Sequence, residues 1–159
     1  MNLKLAEPQD AAGVLKLYDS LRDAPGCTWD EDYPAMREIE IDIQNGDLFI
    51  DADECGVRAA ISICVDEELE AMNVWSESTM PAGSFMRVAV RADVQRRGIA
   101  REMVRFALNE LKKRGFRGVH ILVGRENFAA QRCYAPFGLR VAAQANQYGV
   151  DWYCMEGEL

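Results

Sequence analysis

Apolar residues recur along this chain with two periods, one near 3.6 residues and one near 2, and the points of change mark its elements. LKL near the N-terminus reads as a short strand. Pro8 then opens a helix in which Val14, Leu17, Tyr18 and Leu21 recur at i, i+3, i+4 and i+7, which turns one face to a core. A loop rich in Gly, Pro and Asp follows over 23–32. Pro34 starts a second amphipathic helix, with Met36, Ile39 and Ile43 inward and Gly46 as its stop. LFI at 48–50 and VRAAISICV at 57–65 flank the turn composition DADECG and predict an antiparallel hairpin. From 66 to 84 no period holds, and DEELE followed by Ser, Met, Pro and Gly reads as a loop.

The second half alternates strand and helix. FMRVAV at 85–90 is a strand that passes through RADVQRRGIA into a long helix, whose stripe is Ile99, Met103, Phe106, Ala107, Leu108 and Leu111 and whose stop is Gly115. GVHILVG from 118 is a continuous apolar run, the pattern of a strand covered on both faces, so strand, helix and strand predict a parallel pair. A short helix at 127–135 ends at Pro136 and Gly138, and LRVAAQA and DWYCME are two closing strands. The expected fold is α/β: a mixed, twisted sheet of six to seven strands flanked by helices. At 159 residues, with no repeat, low-complexity tract or linker, the chain reads as a single domain, 1–159.

Charge sharpens this picture. The net charge is −8, but residues 1–84 hold 5 Lys/Arg against 19 Asp/Glu while residues 85–159 hold 13 against 7. An acidic balance repels nucleic acid and anionic membranes, so neither is an expected partner, yet a small anion suits the basic half. No run reaches the roughly 18 apolar residues of a membrane span and the start lacks a signal-peptide core, so a cytoplasmic location is expected. Cys27, Cys55, Cys64, Cys133 and Cys154 are odd in number and widely spaced, which predicts reduced, buried thiols rather than disulfides or a zinc knuckle. His120 is the single histidine, which argues against metal hydrolase chemistry; mid-strand, it reads as structural, and no metal is expected.

The chemistry concentrates at the strand-to-helix junction Gln95, Arg96, Arg97, Gly98, Ile99, Ala100. Free N–H groups and the positive end of the helix dipole meet there, Gly98 and Ala100 admit close approach, and the arginines add formal charge. A pyrophosphate fits such a cradle. No GxGxxG follows the first strand and no GK[ST] follows the glycines, so dinucleotide and P-loop readings fit less well. Arg101, Arg105 and Arg114 read as a solvated helix face.

VAVRADVQRRGIAREMV resembles motif A of the GNAT N-acetyltransferase superfamily: a hydrophobic strand, then Gln/Arg-x-x-Gly-x-Gly/Ala, then a helix. NFAAQRCYAPFGL, from Asn127 to Leu139, is similar to its motif B, Asn-x-x-Ala-x-x-x-Tyr-x-x-x-Gly-Phe. Outside 85–139 the resemblance rests on element order, with a Trp-x-x-x-Tyr-Pro stretch at 29–34 and Trp75 resembling one bacterial subgroup. It implies acetyl transfer from acetyl-CoA to a primary amine by direct attack in a ternary complex. The pyrophosphate would lie on Gln95, Arg96, Arg97, Gly98, Ile99, Ala100 and Arg101, and pantetheine would use backbone groups of Val88 and Val90 where two strands splay. The N–H near Val88 would polarise the thioester carbonyl. Asn127 would fix the pantetheine arm, and Tyr134 would protonate the departing thiolate.

Other roles stand beside these. Asn127 is also a preferred helix N-cap, and Tyr134 read alone is a core aromatic. A phenol with a pKa near ~10 is nevertheless a fair donor to a thiolate of similar basicity. The motif A strand glutamate that serves many members as base is here Phe85, which leaves Glu77, Glu70 or Asp32 through water, or solvent alone, to take the amine proton. Cys133, with no histidine beside it in sequence, reads as packing. Trp29, Tyr33, Trp75, Tyr148, Trp152 and Tyr153 would wall an acceptor cleft. The acidic first half favours a cationic small-molecule or peptide amine, and a homodimer is compatible with the family. The missing glutamate also admits a CoA-binding sensor or regulatory module without turnover.

Overall fold

The computed structural model describes residues 1–159. Its seven strands run in the order β1-β2-β3-β4-β5-β7-β6 in a mixed sheet flanked by helices. The residues cluster into two compact units, Met1–Ser62 with Met86–Met103, and Ile63–Phe85 with Val104–Leu159.

The first unit holds β1 (Lys4–Leu5), α1 (Ala11–Asp19), α2 (Met36–Asn45), β2 (Leu48–Asp53) and nearly all of β3 (Gly56–Cys64). β1 pairs antiparallel with β2 at Lys4↔Ile50, and β2 with β3 from Leu48↔Ser62 to Asp53↔Gly56, as the hairpin pattern predicts. Pro8 begins a 3₁₀ turn, Pro8–Asp10, before α1 proper. Val14, Leu17, Tyr18 and Ile39 are buried against Leu48, Ile50, Ala60 and Ala89. α2 starts where the Glu38 carboxylate accepts from the Ala35 N–H at 2.8 Å. It stops at Gly46, whose φ of +72° lets the Asp47 N–H reach back to the Asp42 carbonyl. One member of the inward face is polar: Asp42 is 5% exposed.

The second unit holds α3 (Glu67–Glu70), the start of β4 (Ala82–Val90), most of α4 (Ile99–Lys113), β5 (Gly118–Gly124), α5 (Phe128–Tyr134), β6 (Arg140–Gln147) and β7 (Val150–Glu158). β5 lies parallel to β4 at Ala82↔Gly118 and Gly83↔Val119, and antiparallel to β7 along its whole length. The expected parallel pair is present, but its ladder covers only those two positions. The core draws on Phe85, Val104, Ala107, Leu111, Val119, Ile121, Val123 and Cys154.

Several expectations are corrected. The stretch 66–84 is not all loop: it carries α3, the 3₁₀ turn Glu77–Thr79 and the first three residues of β4. Ala82, Gly83 and Ser84 carry no strand-like side chains, and at Gly83 a Cβ would press on the Leu111 side chain. On α4 the buried stripe is Met103, Val104, Ala107 and Leu111; Val104 joins it, while Ile99, Phe106 and Leu108 are half-buried. Of the five free thiols Cys154 alone is buried, and Cys55 is exposed at the hairpin tip.

Candidate active site

The junction after β4 has the backbone geometry of a concave helix start, and it lies wholly in the first unit. A 3₁₀ turn, Ala92–Val94, leads from the strand; the backbone is then left-handed at Arg96 (φ +61°) and at Gly98 (φ +86°) before α4 begins at Ile99. Such reversals aim successive N–H groups into one concavity. The Glu102 N–H makes the first helical bond, to the Gly98 carbonyl at 3.1 Å, so the amides of Ile99, Ala100 and Arg101 precede the ladder and have no helical acceptor. A Cβ on Gly98 would meet nothing within 4 Å. Gln95, Arg96, Arg97, Gly98 and Arg101 are exposed, while Ile99 and Ala100 are half-buried. The side chains partly hold the loop itself: Gln95 Nε2 donates to the Val90 carbonyl at 2.8 Å and Arg97 Nη2 to the Asp93 carbonyl at 3.1 Å. Val90 therefore has one lone pair of its carbonyl engaged within the protein. Arg91 is bound by Asp93 and Asp53, each at 2.7 Å, and these bonds raise its pKa further, so its charge is compensated locally.

One strand earlier lies a feature that pattern reading passed over. Arg87, in the middle of β4, has a left-handed backbone with φ of +52°. Its guanidinium, 9% exposed, makes a forked ion pair with the Asp42 carboxylate, Nη2 to both oxygens at 2.7 Å and Nε to Oδ2 at 3.1 Å. Ser62 Oγ donates to the same carboxylate. Arg87 Nη1 donates to the Tyr33 hydroxyl at 2.8 Å, and the guanidinium carbon stands 5.9 Å from that ring's centre. Burial pulls the arginine's pKa down, but Tyr33 and Asp42 more than offset it and leave the group above its ordinary value. Tyr18 lies beside this pair and is fully buried, which pushes its phenol up. The sequence signal was there in outline: an acid three residues after Ile39 on an apolar helix face, and a cation inside FMRVAV.

In the second unit Asn127 Oδ1 accepts from the Ala130 N–H at 3.0 Å, so Asn127 is the N-cap of α5. Tyr134 is the seventh and last residue of the helix, 8% exposed, with Phe85 edge-on to its ring at 5.4 Å. Burial, with a smaller contribution from Cys133, raises the Tyr134 pKa. The phenol is therefore neutral and able to donate over the physiological range, but it is a weaker acid than a free phenol. Phe85 is 3% exposed and fills its place with hydrocarbon.

The candidate bases are dispersed. Glu70 Oε1 bonds His120 Nδ1 at 2.6 Å, and His120 Nε2 meets Thr79 Oγ1 at 2.8 Å. Trp75 stacks on the imidazole at 4.1 Å, and Thr79 and Ser76 donate to the buried Glu156, which Arg140 also pairs at 3.0 Å. His120, wholly buried with both nitrogens engaged, has the structural role expected of it. Glu77 and Asp32 are exposed on a turn and a loop. Of the arginines read as a solvated face, Arg105 stacks on Phe137 and Arg114 donates to the Ile63 carbonyl.

Comparison with known proteins gives the family. No curated protein sequence matches. Among solved structures, the ribosomal-protein-alanine N-acetyltransferase of Brucella melitensis superposes with a TM-score of 0.77 at 16% identity over all of both chains. A GNAT-family acetyltransferase of Streptococcus agalactiae gives 0.80 at 17%, over 99% of this chain and 95% of that one. The structure of yncA from Salmonella typhimurium, solved with acetyl-CoA, gives 0.71 at 20%, over 100% and 94%. At these identities the likeness is one of fold. The family model of GNAT acetyltransferases matches residues 14–139, the span that carries the junction, Arg87, Asn127 and Tyr134, and the chain belongs to the GNAT acetyltransferase family, with acetyl-CoA as its acyl donor.

Proposed function

We propose that the chain, acting as one N-acetyltransferase domain in the cytoplasm, moves the acetyl group of acetyl-CoA onto a primary amine by direct attack. The observation that carries this is the cradle at 95–101: left-handed turns, free first-turn amides and open space over Gly98, in a chain of this family. Those amides hold the pyrophosphate, with Arg96, Arg97 and Arg101 supplying charge. Backbone groups of Val88 and Val90 receive the pantetheine arm, and the Val88 N–H takes the developing oxyanion. Asn127 keeps its cap bond and offers its amide to the arm. The amine nitrogen bonds to the carbonyl carbon, the C–S bond breaks, and the thiolate takes its proton from Tyr134; the amine's surplus proton leaves to water, since Phe85 accepts none.

The acceptor class follows from charge. The first unit carries the exposed acids Asp30, Glu31 and Asp32 and the second the DEELE run at 66–70. An acidic surface concentrates a cationic amine and repels an acidic one. The ribosomal-protein-S18-alanine N-acetyltransferase of Escherichia coli, of similar fold, is named for an amine on a protein, so peptide amines belong in the test beside polyamines and aminoglycosides. CoA release is measured with that panel, plus acidic peptides, at two salt concentrations. Turnover of cationic acceptors that weakens with salt supports the reading; preference for acidic ones refutes the charge argument. Calorimetry adds Gly98→Glu, expected to lose acetyl-CoA affinity at least about tenfold because a carboxylate enters the cradle. Unchanged affinity in the folded variant removes the pyrophosphate assignment, and affinity without turnover for any amine favours a CoA-binding module.

A further inference from the structure

A left-handed residue in the middle of a strand is a local cost that the surroundings must meet. At Arg87 the surroundings are specific. Asp42 from α2 grips the guanidinium through three bonds, Ser62 from β3 holds the carboxylate, and Tyr33 caps the remaining nitrogen. All of these groups, and the cradle, belong to the first unit. A surface arginine needs none of this, and an arginine required only for charge would not be 9% exposed and paired on both sides. The next peptide along the chain is that of Val88.

We infer that Arg87 is a positioning residue: its forked pair with Asp42 holds residue 87 left-handed and thereby aims the Val88 N–H at the thioester oxygen. The inference rests on the acetyl-transfer reading above for the identity of that oxygen, but the clamp itself is a statement about backbone. Arg87 does not touch the reacting atoms; its fork fixes the direction of an amide that does. Arginine suits the task because two bonds to one carboxylate define the plane of the guanidinium, which a single ammonium bond does not.

The test compares two double variants, Arg87→Ala with Asp42→Asn and Arg87→Gly with Asp42→Asn. Both delete the ion pair without leaving a buried carboxylate, and they differ only in that glycine adopts positive φ freely. With saturating acetyl-CoA and a validated amine, well below either melting temperature, the alanine form should lose kcat about 10- to 100-fold. Its acetyl-CoA KM should stay within about threefold, and the glycine form should recover most of the loss. Wild-type kcat in both would show that the pair only stabilises the fold; equal loss in both would show that the guanidinium acts by itself. Either result overturns the inference. If the double variants do not fold, Arg87→Lys replaces them: an unchanged kcat with a lowered Tm overturns it, and a severalfold lower kcat at unchanged KM supports it. If wild-type protein releases no CoA from any amine, the acetyl-transfer reading fails separately. Backbone ¹³C shifts of residues 86–88 then decide the clamp, which requires strand-like values in the alanine form and retained left-handed values in the glycine form.

Discussion

Both units bury an ionic network, and the two are put together differently. In the second, Glu156, Thr79, His120 and Glu70 have ordinary backbone conformations, and their bonds fasten the segment 70–79 to β5 and β7. In the first, Asp42, Ser62 and Tyr33 converge on Arg87, whose backbone is left-handed, one residue from a candidate carbonyl-polarising amide. Burial of charge therefore does not distinguish architecture from chemistry in this protein. Coupling of the charge to a strained backbone does.

If that contrast holds, the chemical contribution of the second unit lies in Tyr134 and not in its buried carboxylate. Tyr134→Phe should lower kcat by roughly ten- to a thousandfold, measured by CoA release, with acetyl-CoA affinity from calorimetry little changed. Untouched turnover would make Tyr134 a packing residue. Glu156→Leu should act in the opposite sense. It strands the Ser76 N–H and hydroxyl, while the Thr79 hydroxyl keeps the Ser76 carbonyl at 2.8 Å and the half-exposed Arg140 can rehydrate, so urea denaturation should show a loss of about 2–3 kcal/mol, with kcat of the folded enzyme within twofold. A collapse of kcat there would break the comparison.

pH separates the two as well. Burial alone would raise the Glu156 pKa, but the bonds from Ser76 and the Arg140 charge hold it below the usual carboxylate value. A depressed folded-state pKa means stability that is present above the unfolded value and drains away as pH falls through the folded one. Below about pH 4.5 the wild type should therefore lose stability more steeply than Glu156→Gln, read by thermal melts across acid pH. Tyr134 is shifted the other way and stays protonated, so kcat/KM should rise with pH and show no alkaline fall below about pH 10. The smallest effect concerns Asn127. Asn127→Ala should cost about 1 kcal/mol as a lost cap, and Asn127→Ser should restore that stability. Only a pantetheine contact would leave the serine form still weak in acetyl-CoA binding.

The period-bearing elements were legible from sequence because burial on one face imposes a spacing: α2, the β2–β3 hairpin, α4 and β5 fall where their stripes place them. The turn at 95–101 is legible too, since its geometry is local to those residues. Three things were not. The start of β4 hides in Ala82, Gly83 and Ser84, small residues of low strand propensity, with Leu111 and Phe116 close over Gly83. The Arg87–Asp42 pair joins residues 45 apart, and no local pattern announces a contact at that separation. The acidity of Tyr134 depends on how much of it is buried, which Phe85 and the core decide.

The parallel ladder of β4 and β5 consists of Ala82 against Gly118 and Gly83 against Val119, and a Cβ on either glycine would strike a neighbour, the Thr79 backbone in one case and Leu111 in the other. Backbone has nowhere to retreat, so Gly118 is closed to every other amino acid, whereas at Gly83 the Leu111 side chain would have to move aside. The exposed stretches 23–25 and 30–32 of the loop, on either side of the core-packed Trp29 and short of Tyr33 with its bond to Arg87, carry no such restriction. In evolutionary terms the chain has a pinned seam and a free rim. Diverging lineages would accumulate change at the rim while the seam stays silent, and a combinatorial library should spend its diversity on the rim and leave Gly118 alone.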